Sequence, residues 1–152
     1  MPLKLAQAFA TFFGVGYFPL CPGSAASVIG LVLAYFLAPA KALSIVVFLT
    51  VTLVGFVSSD VVEKNLNRKD PSLIVIDEVA GILLAFFYLP FTWDVMFTGF
   101  FLFRAFDMFK IYPIDRLENI SGGAGVMLDD LLAGLYTNLT MQAALALARF
   151  WV

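Results

Sequence analysis

The stretch IDEVAGILLAFFYLP, residues 76–90, sets the terms on which this chain folds. Two adjacent acids, Asp77 and Glu78, open it, residues 79–89 carry no charge, and Pro90 closes it. Acids in the first turn suit the helix dipole, and a proline ends a helix, so the stretch predicts a helix with two carboxylates at its head. Ionised groups beside so apolar a run are costly in lipid and point to a site with partners; capping alone is the plainer alternative.

The same arrangement recurs along the chain. Further apolar runs cover residues 25–37, 42–57, 95–103 and 131–148, and the breaks between them hold nearly all the charge. Hydrophobic residues make up 62% of the 152 and charged residues only 13%, too few to surface a water-soluble fold of this size. Backbone in lipid must satisfy its own hydrogen bonds, so these segments are expected to be helical. The fold class that follows is an all-α, polytopic membrane bundle forming a single domain over 1–152. It has about four to five apolar helices, some short or partly spanning, because a full crossing needs about 20 apolar residues. The opening MPLKLAQAFATFFGVG lacks a convincing cleavage site and is read as retained.

Composition also excludes chemistries. There is no histidine and one cysteine, Cys21, which removes zinc sites, internal disulfides, Ser/His/Asp triads and histidine phosphotransfer. The position six residues after Cys21 is Ser27, not the Arg a cysteine phosphatase requires, and no Asp-x-Asp occurs. A net charge of -2 without a basic stripe gives no case for nucleic acid. Placing successive breaks on alternate sides puts Lys4, Lys64, Arg68, Lys69, Arg104, Lys110 and Arg116 on one side and only Lys41 and Arg149 on the other. The first side is then expected to be cytoplasmic.

Three further polar stretches fall on that side. GVGYFPLCPGS, residues 14–24, is a Gly/Pro loop running into a helix that Ser24 would cap. Its backbone amides suit a phosphate oxygen, with Gly14, Gly16, Pro22, Gly23 and Ser24 as candidate substrate contacts; an ordinary re-entrant turn fits equally well. FRAFDMFK, residues 103–110, spaces Arg104, Asp107 and Lys110 as one helical stripe, two cations apt for phosphate and an acid apt for a metal. Beyond Pro113, Asp115 and Arg116 are expected to be solvated, and Glu118 is a reserve ligand. GGAGVMLDD, residues 122–130, is a glycine loop followed by Asp129 and Asp130 at the head of the last helix. Asp77, Glu78, Asp107, Asp129 and Asp130 would repel one another unless they share a cation, and Mg2+ takes carboxylate and phosphate oxygens together. Gly81 and Gly134, each four residues after an acid, leave room for another element to approach.

IDEVAG, FRAFDMFK and GGAGVMLDD, in this order, resemble the motifs of the phosphatidylglycerophosphatase A family over nearly the whole chain. The resemblance implies a magnesium-dependent, multi-pass phosphatase of the bacterial inner membrane, with its site facing the cytoplasm. Its substrate would be the membrane lipid phosphatidylglycerophosphate, converted to phosphatidylglycerol during phospholipid biosynthesis. It implies catalytic roles for Asp77, Glu78, Arg104, Asp107, Lys110, Asp129 and Asp130. Ile111 stands where the family usually has Pro, and Cys21 where it has a small residue, departures expected to affect loop shape. In the implied reaction Arg104 and Lys110 neutralise the phosphate, and either water or an aspartate attacks phosphorus. A CDP-alcohol phosphotransferase would show a spaced aspartate pattern absent here, and an ion-coupled transporter would carry acids nearer the bilayer centre.

Overall fold

A computed structural model describes residues 1–117 and 120–151, and no strand occurs among them. Glu118 lies outside the described residues. Seven α-helices follow in order: α1 (Leu3–Ala10), α2 (Pro22–Leu37), α3 (Lys41–Leu66), α4 (Ile76–Ala85), α5 (Trp93–Phe109), α6 (Ile114–Leu117) and α7 (Gly123–Trp151). A 3-10 turn, Val15–Tyr17, lies between the first two. Each apolar run of the sequence becomes one helix, giving α2, α3, α4, α5 and α7.

Two of these are long enough to cross a bilayer. Helix α3 has 26 residues, about 39 Å at 1.5 Å per residue, against a hydrocarbon core of about 30 Å. Its most apolar window has a mean hydropathy of 2.2, yet only 22% of that window is buried inside the protein. Leu43, Val46, Leu49, Leu53 and Val57 all point outward. A water-soluble core helix would bury such residues, whereas lipid accepts them. Helix α7 is the second, and its most apolar window is 28% buried.

Helices α3 and α7 run antiparallel. Gly123 packs on Phe56 and Asp60 toward one end, and Lys41 and Arg149 line one pocket at the other. Helix α4 stands among α2, α3, α5 and α7, with Ile76, Asp77, Val79, Ala80, Gly81, Ile82, Leu83 and Ala85 buried. With 10 residues, about 15 Å, it reaches only halfway through a bilayer. The carbonyls at its inner end therefore need partners. Asn138 of α7 supplies them: its Nδ2 donates to Ala85 O at 3.0 Å and to Phe87 O at 2.8 Å. Gln142 Nε2 in turn donates to Asn138 Oδ1 at 2.8 Å.

Two sequence expectations about helix ends are corrected. Ser24 does not cap α2; the helix starts at Pro22, with Cys21 at the N-cap and no side-chain cap. Proline's fixed φ and missing N–H suit that first position. Nor do Asp129 and Asp130 head the last helix, because α7 begins at Gly123 and they lie nearly two turns in. Gly123 packs so closely on the backbone of Phe56 and Asp60 that a side chain there would collide, and this contact draws the glycine segment into the helix.

Candidate metal and phosphate site

Helices that are distant in sequence bring their polar residues to one end of the bundle. A cleft of about 270 Å3 opens there between the start of α2, the start of α4, the end of α5 and the second turn of α7. Asp77, Glu78, Arg104, Asp107, Lys110, Asp129 and Asp130 all line it, as do Pro22, Gly23 and Ser24. Gly14 and Gly16 are not among the lining residues. Gly14 occupies a left-handed turn at φ 100°, and Gly16 is buried against the carbonyl of Leu73, so both shape the loop that leads to the cleft.

Within the cleft the carboxylates divide into three groups. Asp77, Glu78 and Asp130 each offer an oxygen within 4.8 Å of the others. Asp77 and Asp130 are buried, and Glu78 is partly so. Asp77 Oδ1 and Glu78 Oε2 are shut off from solvent without a hydrogen-bond partner among the described residues. Orphaned buried acceptors are rare, and three crowded carboxylates repel strongly where water is scarce. The donor set fits a hard divalent cation, which takes carboxylate oxygens and relieves the repulsion.

Asp107 and Asp129 are held by cations. Arg104 Nη1 lies 2.7 Å from Asp107 Oδ2, one helical turn apart on α5. No N–H of Nη1 points straight at a protein acceptor among the described residues, so the contact is ionic and leaves hydrogen-bonding capacity. Lys110 Nζ donates to Asp129 Oδ2 at 3.0 Å, while Asp129 Oδ1 accepts from the backbone N–H of Asp130, also at 3.0 Å. The expected stripe through Arg104, Asp107 and Lys110 is thus interrupted. Helix α5 stops at Phe109, and Lys110 turns left-handed at φ 44°, which swings its side chain across to α7. A left-handed residue after the last turn is a common way to end a helix, although glycine is the usual choice.

Gly23 lies against the Glu78 carboxylate so tightly that any side chain there would strike it, with Arg104 Nη1 close behind. The space that a side chain at 23 would fill is taken by the Glu78 carboxylate.

Asp70, Ser72, Ile74 and Cys21 also line the cleft. Asp70 adopts φ 44° immediately before Pro71, where proline disfavours helical conformations in its neighbour. Aspartate is one of the few residues that tolerate this conformation, and the Asp-Pro pair at 70–71 was the available signal for a turn here. Cys21, expected to alter only loop shape, is exposed at the cleft's edge. Asp115 and Arg116 are exposed as expected, with the Arg116 guanidinium 4.9 Å above the Tyr112 ring.

The model of one family, described as phosphatidylglycerophosphatase A, matches residues 8–145. This chain belongs to the phosphatidylglycerophosphatase A family. The match spans every residue of the carboxylate cluster and both cations that face it. A protein of Bacteroides thetaiotaomicron named "Putative phosphatidylinositol-3-phosphatase" is 35% identical, over 94% of this chain and 95% of its own. Family members named phosphatidylglycerophosphatase A from Escherichia coli and Haemophilus influenzae are 33% and 30% identical. The alignments cover 83% and 93% of this chain, and 75% and 89% of those proteins. No solved structure matches the chain significantly.

Proposed function

We propose that this protein hydrolyses the terminal phosphate of phosphatidylglycerophosphate, releasing phosphatidylglycerol and inorganic phosphate, with Mg2+ as the bound cation. The observation that carries the reading is the convergence of Asp77, Glu78 and Asp130 within 4.8 Å, in a cleft that also presents Arg104 and Lys110. Family membership supplies the substrate class, and the two relatives named for this activity support the headgroup.

Asp77, Glu78 and Asp130 would hold the ion, which when bound contributes charge neutralisation at the phosphoryl group. Arg104 and Lys110 bind the non-bridging phosphate oxygens; Asp107 and Asp129 fix the orientation of those cations and keep them in the cleft. Water, or an aspartate whose phosphoryl ester water then cleaves, bonds to phosphorus in line as the phosphorus–oxygen bond to glycerol breaks; the water's oxygen ends on the released phosphate and its proton goes to the departing alcohol. Helices exposing apolar side chains around the cleft let the acyl chains stay in lipid while the headgroup reaches the site. The gathering of Lys and Arg at the cleft's end of the bundle supports a site that faces the cytoplasm from the inner membrane, in keeping with a step of phospholipid biosynthesis.

The test is phosphate release by purified, detergent-solubilised protein from phosphatidylglycerophosphate, with Mg2+ titrated in and phosphatidylinositol 3-phosphate as a parallel substrate. Release that requires Mg2+ and favours phosphatidylglycerophosphate supports the proposal. Turnover unchanged by chelation would refute the cation assignment, and a preference for the inositol lipid would move the substrate to that headgroup.

A further inference from the structure

The end of the bundle opposite the cleft holds a second built feature. A pocket of about 370 Å3 lies between the end of α2, the start of α3, the segment that follows α4 and the last turns of α7. Its rim carries Lys41 and Arg149, the only Lys or Arg that the sequence assigns to this face, brought together from opposite ends of the chain. Neither has a carboxylate partner among the described residues. Lys41 Nζ sits instead 5.1 Å above the Tyr88 ring, and no acid lines the pocket. Asp94, the acid nearest in sequence to this region, opens α5 and stays outside it.

Below the rim the walls are apolar, formed by Leu37, Leu83, Phe86 and Phe91, with Phe86 and Phe91 stacked at 5.7 Å. Helix α3 also begins here without a side-chain cap, so its first N–H groups add positive potential beside Lys41. Cations that merely snorkel would extend separately toward water. These two line one hollow, where the start of one spanning helix meets the end of the other.

We propose that this pocket seats an anionic phospholipid of the leaflet opposite the catalytic cleft, its phosphate between Lys41 and Arg149 and an acyl chain along the apolar wall. Charge complementarity selects the headgroup, and the apolar wall favours a lipid over free phosphate, which would gain nothing from it.

Photoreactive phosphatidylglycerol and phosphatidylcholine, incorporated separately into nanodiscs holding the intact protein, test this. The anionic probe should label residues 34–44 and 83–91, and the zwitterionic probe should label them much less. In the K41Q/R149Q double variant the anionic labelling of those segments should fall about tenfold, while labelling near residues 104–110 stays constant. Both side chains are exposed, so the variant keeps its fold, checked by circular dichroism. Equal labelling by the two lipids, wild-type labelling in the double variant, or cross-links between protein copies at these segments would each overturn the proposal.

Discussion

Gly81 of α4 and Gly134 of α7 lie backbone against backbone, each four residues beyond an acid of the carboxylate cluster. A side chain on Gly134 would strike the Gly81 carbonyl, and one on Gly81 would meet Asp130 O and the Phe103 ring, both at 2.7 Å. This crossing fixes the relative height of the two helices one turn above their acids. It thereby sets the spacing between Asp77 and Asp130. Between lipid-embedded helices, close packing of small residues does what hydrophobic burial does in water.

Gly134→Val should therefore harm stability and chemistry together. Overpacking a tight contact costs about 1–3 kcal/mol, which a lowered melting temperature in detergent would register. Phosphate release should fall further than the folded fraction, because the acids no longer meet. Wild-type melting and turnover in this variant would show that the crossing does not set the site.

Asn138 makes a different prediction. Replacing it with Leu removes two hydrogen bonds from the inner end of α4 and leaves the Ala85 and Phe87 carbonyls unpaired. The expected cost is about 1–3 kcal/mol per orphaned group at most, seen as a lower melting temperature. The cleft lies at the other end of α4, about two turns away, so kcat per folded molecule should be nearly unchanged, and a selective loss of kcat would contradict this separation.

Cation binding is testable apart from turnover. Mg2+ that binds only the folded state raises the melting temperature as its concentration rises. Asp130→Asn and Glu78→Gln should abolish that rise and the activity with it, and a chelator should reproduce both effects in the wild type. If Asp130→Asn retains the full thermal response, the ion sits elsewhere.

Lys110 should act on the rate. Lys110→Met removes a cation from the phosphate and frees the Asp129 carboxylate, and the loss in kcat should be about 100-fold or more. Lys110→Arg should recover part of it. A small change in kcat with a large change in melting temperature would mark the Lys110–Asp129 pair as structural.

The sequence alone determined what depends on the hydropathy of each segment, though not where every helix begins and ends. Apolar runs and their punctuation located α2, α3, α4, α5 and α7, and the scarcity of charge specified lipid as the solvent, because both follow from side-chain transfer energies that neighbouring residues do not change. The seven polar residues to which the family resemblance lends catalytic roles stood out for a related reason: a charge beside an apolar run is costly in lipid. Tertiary structure decided which of them meet. That Asp77 and Glu78 join Asp130, while Asp129 goes to Lys110, depends on a glycine crossing, on where α5 ends and on how far α7 extends back into its glycine segment. Gly14 and Gly16 fell outside the cleft and Asp70 fell inside it for the same cause. Hydropathy and spacing describe one segment at a time, whereas the distance between two carboxylates is set by the packing of helices that the chain visits far apart.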